Sequence, residues 1–173
     1  MNSILKLIVL AILVAAASFS TAAEPTLKAD LKTVVETGQV TPVEGLTTAG
    51  QPDAAAFKVF AERGYVAVID LRTAGEDRGL DEPAVVSELG MEYVNLPITG
   101  DDITFEKAEE LAELLGQYDG PVLLHCGSAN RVGALLALDK VANGVDAETA
   151  IEEGKLAGLS SLEGKVRAAI DAK

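Results

Sequence analysis

The sequence predicts one α/β domain built on a mainly parallel central sheet flanked by helices. Short apolar runs recur along it: "YVAVIDL" (65–71), with its β-branched residues, "MEYVNLPI" (91–98) and "VLLHC" (122–126). Runs of this length, bounded by glycine, proline or charged loops, read as strands, and the first and third as buried ones. The segments between them carry apolar residues at helical spacing behind cap residues. Strand and helix signals alternate, and alternation selects a layered fold whose strands run parallel through right-handed crossovers.

Taken in order, residues 26–37 read as a short helix. "VEGLTTAGQPD" (43–53) is a short strand running into a turn. Asp53 caps a helix from Ala54 to Arg63, with Phe57, Phe60 and Ala61 on one face and Gly64 as its stop. The strand 65–71 ends in the charged loop "RTAGEDRGLDE" (72–82). Pro83, suited to the first helical position, opens a short helix that Gly90 closes. After the strand 91–98, "TGDD" (99–102) is a turn, and Thr104 caps a helix to about Gln117 with Phe105, Ala108, Leu111, Ala112 and Leu115 on one face. Behind "VLLHC", residues 132–142 are apolar nearly all round, which marks a buried helix. Two more helices follow, one from Asp146 and one from Ser160, where Ser160 and Glu163 have capping-box spacing.

The first 23 residues stand apart. One lysine (Lys6), an apolar run from Leu7 to Ala17 and a close of small residues ending at Ala23 form the pattern of a secretory signal peptide. The expectation is export to the periplasm with cleavage near Ala23, an N-terminal extension over 24–42, and one domain over 43–173. No stable membrane insertion is expected after cleavage. Lys6 is the one charge in the leader, so the remainder carries 13 basic and 27 acidic side chains, a net of −14. Such a field repels nucleic acid and anionic lipid, and an anionic substrate needs a local positive site to bind against it. Neither a cofactor nor a metal site is indicated, since the chain has one histidine and one cysteine and no ligand spacing elsewhere. Oligomeric state is not legible.

The chemistry concentrates in "VLLHCGSANRVGALLAL" (122–138), which holds that one histidine, His125, and that one cysteine, Cys126. In parallel sheets ligands bind at the carboxyl ends of the strands. Three loops therefore share a rim: Arg72–Glu82, Thr99–Ile103 and Cys126–Arg131. A thiol ending a strand just before a helix meets that helix's unpaired N–H groups and its dipole, which favour the thiolate. The same N–H groups, on Gly127, Ser128, Ala129, Asn130 and Arg131, form a cup for an oxyanion. Arg131 can grip two oxygens of a tetrahedral anion with its planar fork. His125 is expected to hydrogen-bond into the loop and support the thiolate. Arg72, on the same rim, is a candidate anion contact or a partner of Glu76 or Asp77. Asp70, ending a strand, is expected to make a structural hydrogen bond.

His-Cys at a strand end, a small-residue loop and an arginine opening an apolar helix resemble the cysteine-dependent protein tyrosine and dual-specificity phosphatases. Their motif has five residues between Cys and Arg, followed by Ser or Thr. Here four residues separate Cys126 from Arg131, and Val132 follows. The chain is more similar to a bacterial short-loop branch, the phosphatase-like domain of the β-lactamase-hydrolase-like family. The pieces that carry this resemblance are, in order, "TAGQPD" (48–53), "VIDLR" (68–72), "GED" (75–77), "MEYVNLPITGDDI" (91–103) and "PVLLHCGSANRVGALLAL" (121–138). They span roughly residues 43–143. Ala129 stands where that family usually has glycine.

The resemblance implies a phosphatase-type architecture, with the cysteine loop between the last strand and a buried helix. It implies a nucleophilic Cys126 that forms a phosphocysteine intermediate. The loop N–H groups and Arg131 would hold the phosphoryl oxygens, and a carboxylic acid, Asp101 or Asp102, would protonate the leaving oxygen. The partner would be a phosphorylated protein, with phosphotyrosine as one form, or a small phosphomonoester. Two alternatives stay open on the residues alone: a sulfurtransferase or thiol-redox protein, and a non-catalytic domain that binds oxyanions or phosphoproteins.

Overall fold

A computed structural model describes residues 27–173. The expected leader, 1–23, lies outside the described residues. The elements are α1 (Leu31–Thr37), β1 (Leu46–Ala49), α2 (Ala54–Glu62), β2 (Ala67–Asp70), α3 (Glu82–Glu88), β3 (Glu92–Asn95), α4 (Phe105–Leu115), β4 (Val122–His125), α5 (Asn130–Ala142), α6 (Ala147–Leu156) and α7 (Glu163–Asp171). The four strands form one sheet in the order β1-β4-β2-β3, every pairing parallel. The predicted α/β class and the predicted element order are both observed.

The helix starts follow from their cap residues. The side chains of Asp30, Asp53, Asp81, Thr104 and Asp146 each accept a backbone N–H from the first turn of α1, α2, α3, α4 and α6. These bonds satisfy donors that a helix start otherwise leaves unpaired. The expected capping box at Ser160 does not form. The helix begins at Glu163 with no side-chain cap, because the Ser160 N–H is taken by Asn130 Oδ1 at 2.8 Å.

Alternation along the strands builds two cores. Ala67, Ile69, Val122 and Leu124 point to one face, which α4–α7 cover. Val68 and Leu123 point to the other, where they pack against Phe57 and Phe60 of α2, Val34 of α1 and Val86 of α3. The segment set apart in sequence as an extension is therefore joined to the domain. Val34 is buried in the second core, and Thr48 of β1 bonds both Leu27 and Ala29 through the backbone. Among the described residues no helix is long and apolar enough to cross a membrane.

α5 is buried for a local reason. At Gly133 and Gly154 its backbone nearly touches α6: a Cβ on Gly133 would lie 2.4 Å from Gly154 O. Two glycines facing each other let the helices approach, and this contact fixes the start of α5 against α6.

Candidate functional site

The sheet ladder continues past the strand ends. Leu71 N donates to His125 O at 2.9 Å, and Ile98 N donates to Leu71 O at 3.0 Å. The three rim loops thus leave from one tight edge. Cys126 follows β4 directly and is 1% exposed. Gly127 O accepts from Gln51 N at 3.3 Å and Ser128 bridges Gly50, so the "AGQ" turn braces the outside of the thiol loop. A Cβ on Gly50 would sit 3.4 Å from Gly127 O, tight enough to press on that brace.

Ala129 supplies the bend. Its φ is +69°, in the left-handed region that a side chain rarely adopts, and it is fully buried. The loop accepts this because Gly158, at φ +118°, leaves room for the Ala129 methyl; a Cβ on Gly158 would lie 2.4 Å from it. The bend lets α5 start at Asn130 with no side-chain cap. The helices before it, α1 to α4, all carry such a cap, whereas the first N–H groups of α5 are left for another acceptor.

Arg131 is clamped. Its Nη1 and Nη2 donate to the two oxygens of Glu76, each at 2.6 Å, and Nη1 also donates to Ile98 O at 2.9 Å. This end-on grip through Nη1 and Nη2 orients the guanidinium beside Cys126. The Arg131 charge is favoured first by Glu76 and then by Cys126 nearby. Glu76 in turn is held down to about 2, chiefly by the hydrogen bonds from Arg131 and also by the Thr73 N–H. Arg131 and Glu76 open onto a cavity of about 370 Å³ whose wall includes Thr73, Thr99, Gly100 and Ser128.

Other expected site residues lie elsewhere. Arg72 is fully buried, not on the rim. It bonds Asp70 at 2.9 Å and also Glu82, and it touches neither Glu76 nor Asp77. The extra ladder step at Leu71 keeps Arg72 inside the sheet edge. His125 does not reach the thiol loop: its Nε2 lies 2.7 Å from Glu82 Oε1 and its Nδ1 has no partner among the described residues. Neighbours on a strand point to opposite faces, so Cys126 faces the α4–α7 side while His125 stands edge-on to Phe57 on the other. Asp102 accepts from the Thr99 N–H and hydroxyl at 2.7 and 2.6 Å, which hold it below the ordinary carboxylate value. Asp101 is 95% exposed and pairs with Lys165 at 2.5 Å. The Asn130 side chain turns away from the loop, accepting from Ser160 N and donating to Ser161 Oγ.

Behind the loop lies a buried ionic cluster. Asp70 accepts from Arg72, Arg78 and Tyr93. Burial alone would raise its carboxyl, but the Arg72 bond and the nearby His125 outweigh it and hold the group low. Burial and the Asp70 carboxylate together push Tyr93 up to about 12. Asp70, Glu82 and His125 bring ligand-type atoms within 4.8 Å of one another. The cation already among them is the Arg72 guanidinium, which bonds both carboxylates. Glu76 and Glu82 were not singled out in sequence as site residues; "GED" marked the position of the first, and nothing marked the second.

A parallel α/β sheet with a buried thiol at the end of a central strand, an uncapped helix start and an arginine held at its mouth defines a phosphatase-type domain of the tyrosine and dual-specificity class. The chain belongs to the family described as "DSP-PTPase phosphatase fused to NAD+ Kinase", whose model matches residues 25–169. It is similar to a β-lactamase hydrolase-like protein of Xylella fastidiosa, 36% identical over 105 residues, 58% of this chain and 24% of that protein. The corresponding protein of Agrobacterium fabrum is 31% identical over 121 residues, 67% of this chain and 28% of that one. The chain spans about a quarter of the length of these relatives. In fold it is similar to a provisionally named phosphatase of Neisseria meningitidis, with TM-score 0.63 and 24% identity over 73% of this chain and 92% of that one. P. aeruginosa TpbA, solved in complex with phosphotyrosine, gives 0.51 and 19% over 70% and 83%.

Proposed function

We propose that the chain hydrolyses phosphomonoesters through a phosphocysteine intermediate on Cys126. The observation that carries the proposal is the Glu76 clamp. It commits the Nη1–Nη2 end of Arg131 and leaves the Nε–Nη2 edge for two oxygens of a phosphoryl group beside the thiol. The Cys126 thiolate attacks phosphorus, the S–P bond forms, and the P–O bond to the leaving alcohol breaks. The N–H groups at the start of α5 and Arg131 hold the equatorial oxygens as charge develops on them. Asp101 gives its proton to the leaving oxygen. In the second half it takes a proton from water, which attacks phosphorus, breaks S–P and releases inorganic phosphate and the thiolate. Asp101 is preferred over Asp102 because its partner is an exposed, exchangeable lysine, whereas Asp102 is fixed by two bonds from Thr99 and held low.

The test is hydrolysis of p-nitrophenyl phosphate by the purified chain, with mass detection of phosphate on Cys126 after rapid quench. The Cys126→Ser variant is expected to be inactive. Asp101→Asn is expected to lose roughly a hundredfold in kcat on alkyl phosphates, and Asp102→Asn to keep most of it. A wild-type rate in Cys126→Ser would overturn the mechanism. Export with cleavage near Ala23 is part of the same proposal. N-terminal sequencing of the protein from its native cell tests it, and a chain that keeps residues 1–23 would refute it.

A further inference from the structure

We propose that the site is built for a small, non-aromatic phosphomonoester that carries a second anionic group, with Lys165 of α7 as the receptor for that group. The inference rests on the phosphatase reading of Arg131 and extends it to the Gly100 part of the cavity wall. The cavity wall runs from Arg131 and Glu76 past Ser128 to Thr99 and Gly100. At Gly100 it meets α7: a Cβ there would lie 3.7 Å from both Leu162 Cδ2 and Lys165 Nζ. Lys165 therefore stands beside the Gly100–Leu162 part of the wall, and its side chain is 48% exposed. Its carboxylate partner is Asp101, at 2.5 Å.

Two cation–carboxylate pairs thus flank the site, Arg131 with Glu76 in the cavity wall and Lys165 with Asp101 beside Gly100. In a chain of formal charge −13 these two cations are the local attraction for an anion. A substrate with a single phosphate engages Arg131, and Asp101 can serve the leaving oxygen only by breaking its pair with Lys165 with nothing to replace it. A substrate with a second anion offers Lys165 a replacement partner and frees the Asp101 carboxylate, which takes up a proton from solvent and delivers it to the leaving oxygen. The Lys165–Asp101 pair is exposed, so the exchange costs little. The wall contains no aromatic ring. Phe57, Phe60 and Tyr65 are buried in the core, Tyr93 bonds Asp70, and Phe105 packs against the core and under Lys173. Threonine and serine hydroxyls line the cavity in their place, which suits a polyol or sugar skeleton.

The test compares a sugar monophosphate with the bisphosphate of the same sugar, and with a phosphotyrosine peptide that carries an acidic neighbour. Phosphate release is measured on the full chain, and binding by calorimetry on Cys126→Ser. The bisphosphate is expected to exceed the monophosphate at least tenfold in kcat/KM and in affinity. Lys165→Gln brings that ratio toward one, and Lys165→Glu inverts it. Equal binding of the two sugars by Cys126→Ser, or a preference that survives Lys165→Glu, overturns the subsite. A peptide preferred over the bisphosphate overturns the small-molecule assignment. Lys165-dependent binding of the bisphosphate without turnover by the wild type upholds the subsite and instead removes the phosphatase reading.

Discussion

Replacing Glu76 by glutamine tests the clamp on Arg131 directly. Glutamine keeps one acceptor for the Thr73 N–H but sets an amide donor against a guanidinium donor. The Glu76 value drops from 4.5 to about 2 on folding. At 1.36 kcal/mol per unit this is about 3 kcal/mol as an upper bound. The Glu76 side chain is 34% exposed, so screening brings the expected loss to about 1–2 kcal/mol. In urea at pH 7 this lowers the unfolding midpoint by about 0.5–1 M. The folded-state value lies below the unfolded one, so as pH falls the unfolded chain takes up the proton first. The contribution is complete above about pH 4.5, falls to about two fifths at pH 3, and is lost as pH passes about 2. The gap between wild type and Glu76→Gln must close along the same course. Loosening the arginine is also expected to lower kcat/KM about tenfold or more. A midpoint unchanged at pH 7, or a gap that stays constant down to pH 3, would refute the ionic clamp.

Other parts of the site give separate tests. Gly158→Ala places a methyl against Ala129 at a φ that disfavours any side chain, and is expected to cost about 3 kcal/mol. Ala129→Gly in the same chain should restore about 1 kcal/mol by removing the facing methyl, so a double-mutant cycle by urea unfolding that comes out additive contradicts the contact. Arg72→Met strands Asp70 and Glu82 without their shared cation. A loss of about 3–5 kcal/mol is expected, against the few tenths that a rim arginine would give in the same thermal melts.

Much of the fold was legible because each element announces itself locally. Short apolar runs marked β2 and β4, and Asp53, Thr104 and Asp146 marked helix starts that the structure keeps. The capping box at Ser160 failed through a long-range competitor: Asn130, thirty residues earlier, takes the Ser160 N–H that the Glu163 carboxylate would have accepted. Arg72 was read as a rim residue because strand ends look alike in sequence, whereas two further ladder bonds at Leu71 and Ile98 carry the sheet past the apolar run. The placement of His125 was open to sequence reasoning all along. Strand alternation puts a residue next to Cys126 on the opposite face, so adjacency in sequence argued against contact rather than for it. Glu82 could not be found this way, because it meets His125 across 43 residues and two layers.

The surplus of carboxylates determines how the cations around the site are held. Each cation that faces the thiol loop from the rim or from below arrives already paired: Arg131 by Glu76, Lys165 by Asp101, Arg72 by Asp70 and Glu82, and Arg78 by Asp70. An unpaired cation in so acidic a chain would be captured by whichever carboxylate could reach it, and its direction would be undefined. Pairing fixes direction but reduces net attraction, so an incoming phosphate gains from geometry more than from charge. The Arg131 pair leaves an edge free and needs no exchange of partners, whereas the Lys165 pair has to be exchanged. The two pairs therefore differ in kind. One is set before the ligand arrives, and the other responds to what the ligand carries.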